Sequence, residues 1–245
     1  MAFVHGREGR VVFNEFDLSC FFNNVDMSRE ADTPEVTTFC DDFRAYITGF
    51  RGATLSFSGF YDPTTTTGSD EILANSIGAT NASIVSYAPN GFAVGEPIYL
   101  FRTHSTGYSV SQPVDGVVSI TADMNATGTL VRGFSLHQLA AETTTANGTS
   151  VDGTASTTTG WTAHLHVTAV SGGTPTLDVD VADSANDTTF ATVTGASFTQ
   201  VTTSPSSERL TSSTSTATVR RYVRAEWTIS GSTPSYTFTV TFARQ

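Results

Sequence analysis

Two groups of side chains have types and spacings that suit ion binding, and each has an ordinary structural alternative. Asp178, Asp180, Asp183, Asn186 and Asp187 gather oxygen ligands in one short stretch. Calcium wants six to eight oxygens wrapped around a tight turn. Here Asp178 and Asp180 fall on a strand-like run, and the EF-hand pattern is absent. The expectation is a solvated strand face followed by an Asx-rich turn. His164 and His166 stand two apart, so on a strand they share a side. Zinc needs a third and a fourth ligand, and Cys20, Cys40, His104 and His137 form no partner motif with them. The pair is expected on a polar, wet face.

Arg220, Arg221 and Arg224 cluster beside Tyr222 and Trp227. Such a group suits a polyanion or a glycan; alternatively the arginine stems cover apolar surface and pair with Glu226. The nucleophile elbow Gly-x-Ser-x-Gly, the P-loop, the Gly-x-Gly-x-x-Gly turn and the His-Glu-x-x-His helix do not occur. Carboxylates are plentiful, but nothing marks out a glycosidase pair. Four Asn-x-Ser/Thr sequons start at Asn81, Asn125, Asn147 and Asn186; in a chain with 43 Thr and 27 Ser they arise by chance. No catalytic, metal-binding or cofactor-binding residue is assigned, and the chain is not read as an enzyme.

The elements that carry these residues are strands. Trp161, Ala163, Leu165, Val167 and Ala169 alternate with Thr162, His164, His166 and Thr168, and Tyr236, Phe238, Val240 and Phe242 alternate with Thr237, Thr239 and Thr241. Runs 177–181 and 219–229 behave likewise. Turns are expected at Ser171-Gly172-Gly173, Ser184–Asp187, Ser204–Ser207 and Ser230-Gly231-Ser232. Earlier strands are read at 10–16, 18–25, 53–60, 83–88, 97–103, 117–124 and 129–136. A helix fits 69–77, with Ser69 as cap and Asp70 and Glu71 in its first turn; a second helical candidate is 40–49. The fold class is all-β. A polar stretch after Leu139 divides it into an N-terminal domain, 1–140, a β-sandwich or barrel with one short helix, and a C-terminal antiparallel β-sandwich, 141–245, of jelly-roll or Ig-like type.

Composition supports this and excludes other classes. Thr is β-branched, suits a pleated surface and keeps its outer face wet. Hydrophobic residues make up 38% of the 245 positions, enough for a core, and charged residues only 14%, too few for a coiled coil. All 12 basic residues are Arg, and the net charge of −11 leaves no overall basic footprint for gripping nucleic acid. Residues 1–140 hold 15 acidic side chains against 7 Arg, so most of the negative field lies there. No apolar run is long enough for a membrane span. The start, Met-Ala-Phe-Val-His-Gly-Arg-Glu, does not read as a secretory signal, so Cys20 and Cys40 are expected as free, buried thiols. The long mixed-charge segment 26–44, between two strands, is of the length that is usually functional or mobile.

That segment, together with the residues up to Asp62, carries a resemblance. Glu35-Val36-Thr37-Thr38-Phe39-Cys40-Asp41-Asp42-Phe43-Arg44, then Ile47-Thr48-Gly49-Phe50, then Ala53-Thr54-Leu55-Ser56-Phe57-Ser58-Gly59-Phe60-Tyr61-Asp62, resemble the N-terminal part of major tail (tail tube) proteins of long-tailed bacteriophages. Cys40 stands where that pattern has Gly. Gly173–Leu177, Asp183–Asp187 and Arg220–Ala225 look like a second domain found on such proteins. The resemblance implies a structural virion protein of the phage tail, made in the host cytoplasm. Its copies would assemble with themselves and with other tail proteins, as stacked and usually hexameric rings. Viral DNA would pass through the lumen without specific binding. It also implies that Arg29, Glu30, Asp32, Glu35, Asp41, Asp42 and Arg44 belong to an inter-subunit arm that orders on contact with a neighbouring ring. A capsid decoration protein and a carbohydrate-binding or adhesion module are the alternatives. For the last, Trp161, Tyr222, Trp227 and Tyr236 are the aromatics that could stack on sugars, although Trp161 and Trp227 fall on apolar strand faces.

Overall fold

Alternating apolar and hydroxyl residues set the strands in the computed structural model, which describes residues 3–245; Met1 and Ala2 of the N-terminal reading lie outside it. In chain order the strands are β1 (Arg10–Phe13), β2 (Phe16–Asp17), β3 (Phe22–Ala31), β4 (Arg51–Phe60), β5 (Ser83–Ala88), β6 (Pro97–Ser111) and β7 (Ser119–Ala126). They continue with β8 (Val131–Glu142), β9 (Ala146–Asn147), β10 (Val151–Asp152), β11 (Trp161–Ser184), β12 (Ala191–Ser197), β13 (Ser206–Thr211) and β14 (Tyr222–Arg244). One α-helix, α1 (Ser69–Asn75), interrupts them. The strand pairings described are antiparallel throughout. The protein is all-β with a short helix.

The chain forms two compact units, and they do not divide at residue 140. One comprises 1–20, 83–102 and 130–245; the other comprises 21–82 and 103–129. Strand β8 runs through the expected boundary and pairs with β14 from Phe242↔Phe134 to Tyr236↔Glu142. The polar stretch, which reads as a linker or a hairpin rim, is a rim, where β9 and β10 each add two residues to β14. Antiparallel pairing joins segments far apart in sequence, and local polarity does not record it.

In the first unit, β11 and β14 form one long ribbon, paired from Trp161↔Arg244 to Ser184↔Tyr222. The turns expected at Ser171-Gly172-Gly173 and Ser230-Gly231-Ser232 are not chain reversals. They lie opposite each other, with Gly173 facing Ser232, and the register slips on both sides of that pair. Each belongs to a Ser-Gly-x-Thr-Pro sequence, Ser171–Pro175 and Ser230–Pro234. The backbones match: φ is 121° at Gly172 and 122° at Gly231, 45° at Thr174 and 48° at Thr233. Paired bulges of this kind bend a ribbon. Both halves then feed one core: Trp161, Leu165, Val167, Phe238 and Phe242 from one, Leu177, Val179, Val181, Val223 and Trp227 from the other.

The first half of β11 is buried on its second face as well. The strand order β11-β14-β8-β6-β5-β1-β2 curls until Ser86 of β5 reaches His164 and His166. The wet face expected for these histidines is therefore interior, and both are 0% exposed. The cysteines depart in the opposite sense: Cys20 and Cys40 are free, as expected, but exposed.

The second unit is an antiparallel sheet of spatial order β3-β4-β7-β6, in which β3 pairs with β4, β4 with β7, and β7 with Thr103–Ser111 of β6. Alternate residues Ala53, Leu55, Phe57, Ile120, Ala122 and Met124 are buried. The cap of helix α1 lies one residue earlier than expected. Gly68 is the N-cap, and Ser69 lies inside the helix, donating to the Phe60 carbonyl at 3.0 Å and accepting from the Asp62 amide at 3.2 Å. The Asp70 carboxylate accepts from the Tyr61 and Tyr108 hydroxyls at 3.0 and 2.6 Å, tying the helix to the strands. Residues 40–49 are not helical.

The bend makes a prediction. A side chain at Gly231 would meet Pro175 Cα at 2.8 Å and Thr174 O at 2.9 Å, and one at Gly172 would meet Thr233 O at 2.8 Å, both at positive φ. Gly172→Ala and Gly231→Ala are each expected to lower unfolding free energy by about 1–3 kcal/mol. Gly173→Ala, which meets Ser232 Cβ only at 3.4 Å, should stay within about 0.5 kcal/mol of the parent. Urea denaturation of the three variants checks this.

Candidate functional site

The seven residues singled out from the sequence, Arg29, Glu30, Asp32, Glu35, Asp41, Asp42 and Arg44, lie on one hairpin. β3 and β4 pair without a break from Asn24↔Ser58 to Ala31↔Arg51. The ladder then continues past both strands. The Asp32 amide donates to Phe50 O at 2.8 Å, Gly49 to Asp32 O at 2.6 Å, Ile47 to Pro34 O at 3.1 Å and Val36 to Ala45 O at 2.8 Å. The tip closes at Thr38–Asp41, where the Asp41 amide donates to Thr38 O at 3.1 Å. In return the Thr38 amide and hydroxyl donate to the Asp41 carboxylate at 2.7 and 2.9 Å. These two bonds hold the Asp41 carboxyl below its usual range. Residues 26–36 are thus paired with 45–56 of the same chain, and the tip closes on itself at Thr38–Asp41.

What the arm lacks is cover. From Arg29 to Phe50 only Ala45 and Gly49 are not exposed. Phe39 is fully exposed, Phe43 is 86% exposed and Phe50 89%; Tyr46, Ile47 and Val36 are exposed as well. Arg44 and Glu35 approach only to 3.8 Å, both in water, an arrangement worth little. A two-stranded ribbon wet on both faces is marginal on its own, and large apolar side chains left exposed along it are what a binding surface leaves uncovered. Strand β3 adds a second open feature, since among the described residues its ten residues pair on one side only, with β4. Charge patterning picks out the acidic and arginine residues of the arm. The aromatics are its larger feature, and their signal is Phe39, Phe43 and Phe50 in a segment without strand alternation.

The other sequence candidates are spent within the fold. Asp178 accepts from Gln200, Asp183 accepts from the Arg220 amide at 2.7 Å, and Asn186 closes an Asx turn onto Thr188 and Thr189. Among the described residues no group of three His, Cys, Asp or Glu side chains is placed to hold a metal. Arg221 makes a two-pronged pair with Asp152 at 2.7 and 2.6 Å, holding that carboxyl down at about 2. Arg224 pairs with Glu226 at 2.6 Å and stacks 3.8 Å over Phe190. Trp161, Trp227 and Tyr236 are core side chains, 0%, 6% and 0% exposed, so they present no surface to a sugar.

No family model and no curated protein matches the sequence. Several solved structures are similar to part or all of it. A chain of the virion of a native gene transfer agent particle is 19% identical, covering 51% of this chain and 95% of its own, with a TM-score of 0.42. A chain of the SPP1 tail tube is 8% identical, covering 53% of this chain and 78% of its own, at 0.43. The SPP1 Dit protein, described as a hub adsorption apparatus of phages infecting Gram-positive hosts, is 12% identical over 96% of this chain and 98% of its own, at 0.38.

The tip generates a prediction. Asp41→Ala removes both bonds to Thr38, so the Thr38 and Asp41 amides should exchange with deuterium several-fold faster. Amides of β4 and β7 should be unchanged, because those strands pair independently of the tip.

Proposed function

We propose that this chain is a tail tube subunit of a phage-type particle, assembling with itself into stacked rings, six copies to a ring. The observation that carries the reading is the β3–β4 arm, which holds its own backbone geometry yet exposes Phe39, Phe43, Tyr46, Ile47 and Phe50. Such a surface is stabilised by another copy of the chain, and a head-to-tail contact between unlike patches propagates as a filament. The sequence resemblance over 26–62 supports the same role.

Charge supports the conduit half of the reading. The arm-bearing unit, 21–82 with 103–129, has eleven acidic residues against three arginines and no lysine. A wall built from it repels phosphate instead of releasing counterions to it, so DNA passes without being held. That unit, 21–82 with 103–129, is the part assigned to the wall of the tube. The role is structural, in the virion tail, and uses no cofactor.

The test is negative-stain electron microscopy of the purified protein over a concentration series, beside the Phe39→Ser, Phe43→Ser, Phe50→Ser triple variant. The parent is expected to form rings or tubes of uniform width. The variant should remain dispersed with its unfolding free energy within about 0.5 kcal/mol, since these exposed side chains contribute little to the monomer. A parent dispersed at every concentration and indistinguishable from the variant overturns the assembly reading.

A further inference from the structure

The buried side of β11 holds a chain of hydrogen bonds that runs between two fixed ends. At one end the Arg209 guanidinium of β13 lies 3.0 Å from His164 Nε2. A guanidinium only donates, so His164 Nε2 accepts and its proton sits on Nδ1. His164 Nδ1 is 3.1 Å from Ser86 Oγ, which therefore accepts there. At the other end His166 Nδ1 is 2.6 Å from the carbonyl oxygen of Asn14, in the β1–β2 turn. A carbonyl only accepts, so His166 Nδ1 carries the proton and its Nε2 is bare. Ser86 Oγ lies 2.8 Å from that Nε2 and donates to it. The direction is set at both ends and agrees in the middle: Arg209 to His164 to Ser86 to His166 to Asn14.

We propose that this chain of bonds is an acid-sensitive latch: His164 and His166 are both neutral Nδ1–H tautomers, and acidification loosens the β1–β5 layer from β11 because no acceptor is left for another proton. The latch does not depend on the tail tube reading. A proton on His164 Nε2 would set an imidazolium against the guanidinium 3.0 Å away. A proton on His166 Nε2 would force Ser86 to take two N–H donors and turn its own hydrogen to Thr241 Oγ1, 3.4 Å away. The groups facing the rings come from β5 (Ser86), the β1–β2 turn (Asn14), β13 (Arg209) and β14 (Thr241), and Arg102 of β6 acts on Arg209. Glu208, next to Arg209, is turned to Thr199. His137 makes the contrast, since its two nitrogens face the Phe238 carbonyl and the Glu142 carboxylate, acceptors for both protons of an imidazolium.

Burial pushes both rings below the ordinary histidine range, His166 to about 4 and His164 well below it, the latter also through His166 and Arg209. Histidine titrates near 6.5 in an unfolded chain. The native state is therefore at full strength above that pH and loses stability as pH falls toward about 4. Over that window each ring adds about one proton to the uptake on unfolding.

The deciding experiment is magic-angle-spinning NMR of the wild-type protein with 15N-labelled histidine, which serves for monomer or assembly alike. At pH 7.5 both rings should show a protonated Nδ1 and a bare Nε2, and should keep them at pH 5. An Nε2–H tautomer or an imidazolium at either position at pH 7.5 overturns the proposal, whether or not any variant folds. Denaturant unfolding from pH 7.5 to 4.5 gives the second readout. His164→Gln and His166→Gln should each remove about one proton from the pH slope of stability; slopes equal to wild type would overturn it. Amides Val11–Phe13 and Val85–Ala88 should lose protection between pH 7 and 5 ahead of β12; uniform loss would speak against a latch.

Discussion

The first unit rests on one backbone crossing. Strands of 24 and 23 residues paired end to end make a ribbon of about 80 Å, far too long to cover its own apolar side. Bending it at Gly172 and Gly231 brings the apolar faces of its two halves together. The crossing is tight enough that a Cβ at either glycine would press on the opposite backbone, and the φ near +120° is one that L side chains rarely adopt. The matched Ser-Gly-x-Thr-Pro sequences on the two strands are the chemical form of that requirement.

Folding the ribbon settles where the polar side chains go. Once one face of β11 has joined the core, its other face meets β5 and the β1–β2 turn, and it carries Thr162, His164 and His166. A buried polar group without a partner costs about 1–3 kcal/mol, so this face holds together only as a connected set. Ser86 is the joint, bonded to both imidazoles at once. The second unit solves the opposite problem. Its strands bury one face, Asp70 fastens the helix through two tyrosines, and the arm extends beyond the core with its backbone paired and its aromatics in water. Rigid geometry with uncovered apolar surface suits a contact made with another molecule.

The strands at 161–169, 177–181 and 236–242 were legible because alternation records that one face is buried. So were the helix near Ser69, the arginine–carboxylate partnership of Arg224 with Glu226, and the structural character of the Asp178–Asp187 stretch. The mixed-charge arm was legible as a segment out of keeping with the core, since nothing in 26–44 alternates. These properties depend on near neighbours or on composition, and a sequence carries both directly.

Tertiary structure alone decided the rest. Alternation cannot say whether the second face is wet, so His164 and His166 read as surface residues and are interior. Gly-rich clusters cannot say whether a chain reverses or two strands cross, so Ser171–Gly173 and Ser230–Ser232 read as turns and are one paired bend. The boundary at 140 failed because β8 pairs with β14 about a hundred residues later. Cys20 and Cys40 read as buried thiols and are exposed, since burial depends on which segments pack over a residue. In each case the missing fact is a long-range pairing, set by the register of strands distant in sequence, and local residue patterns hold no record of it.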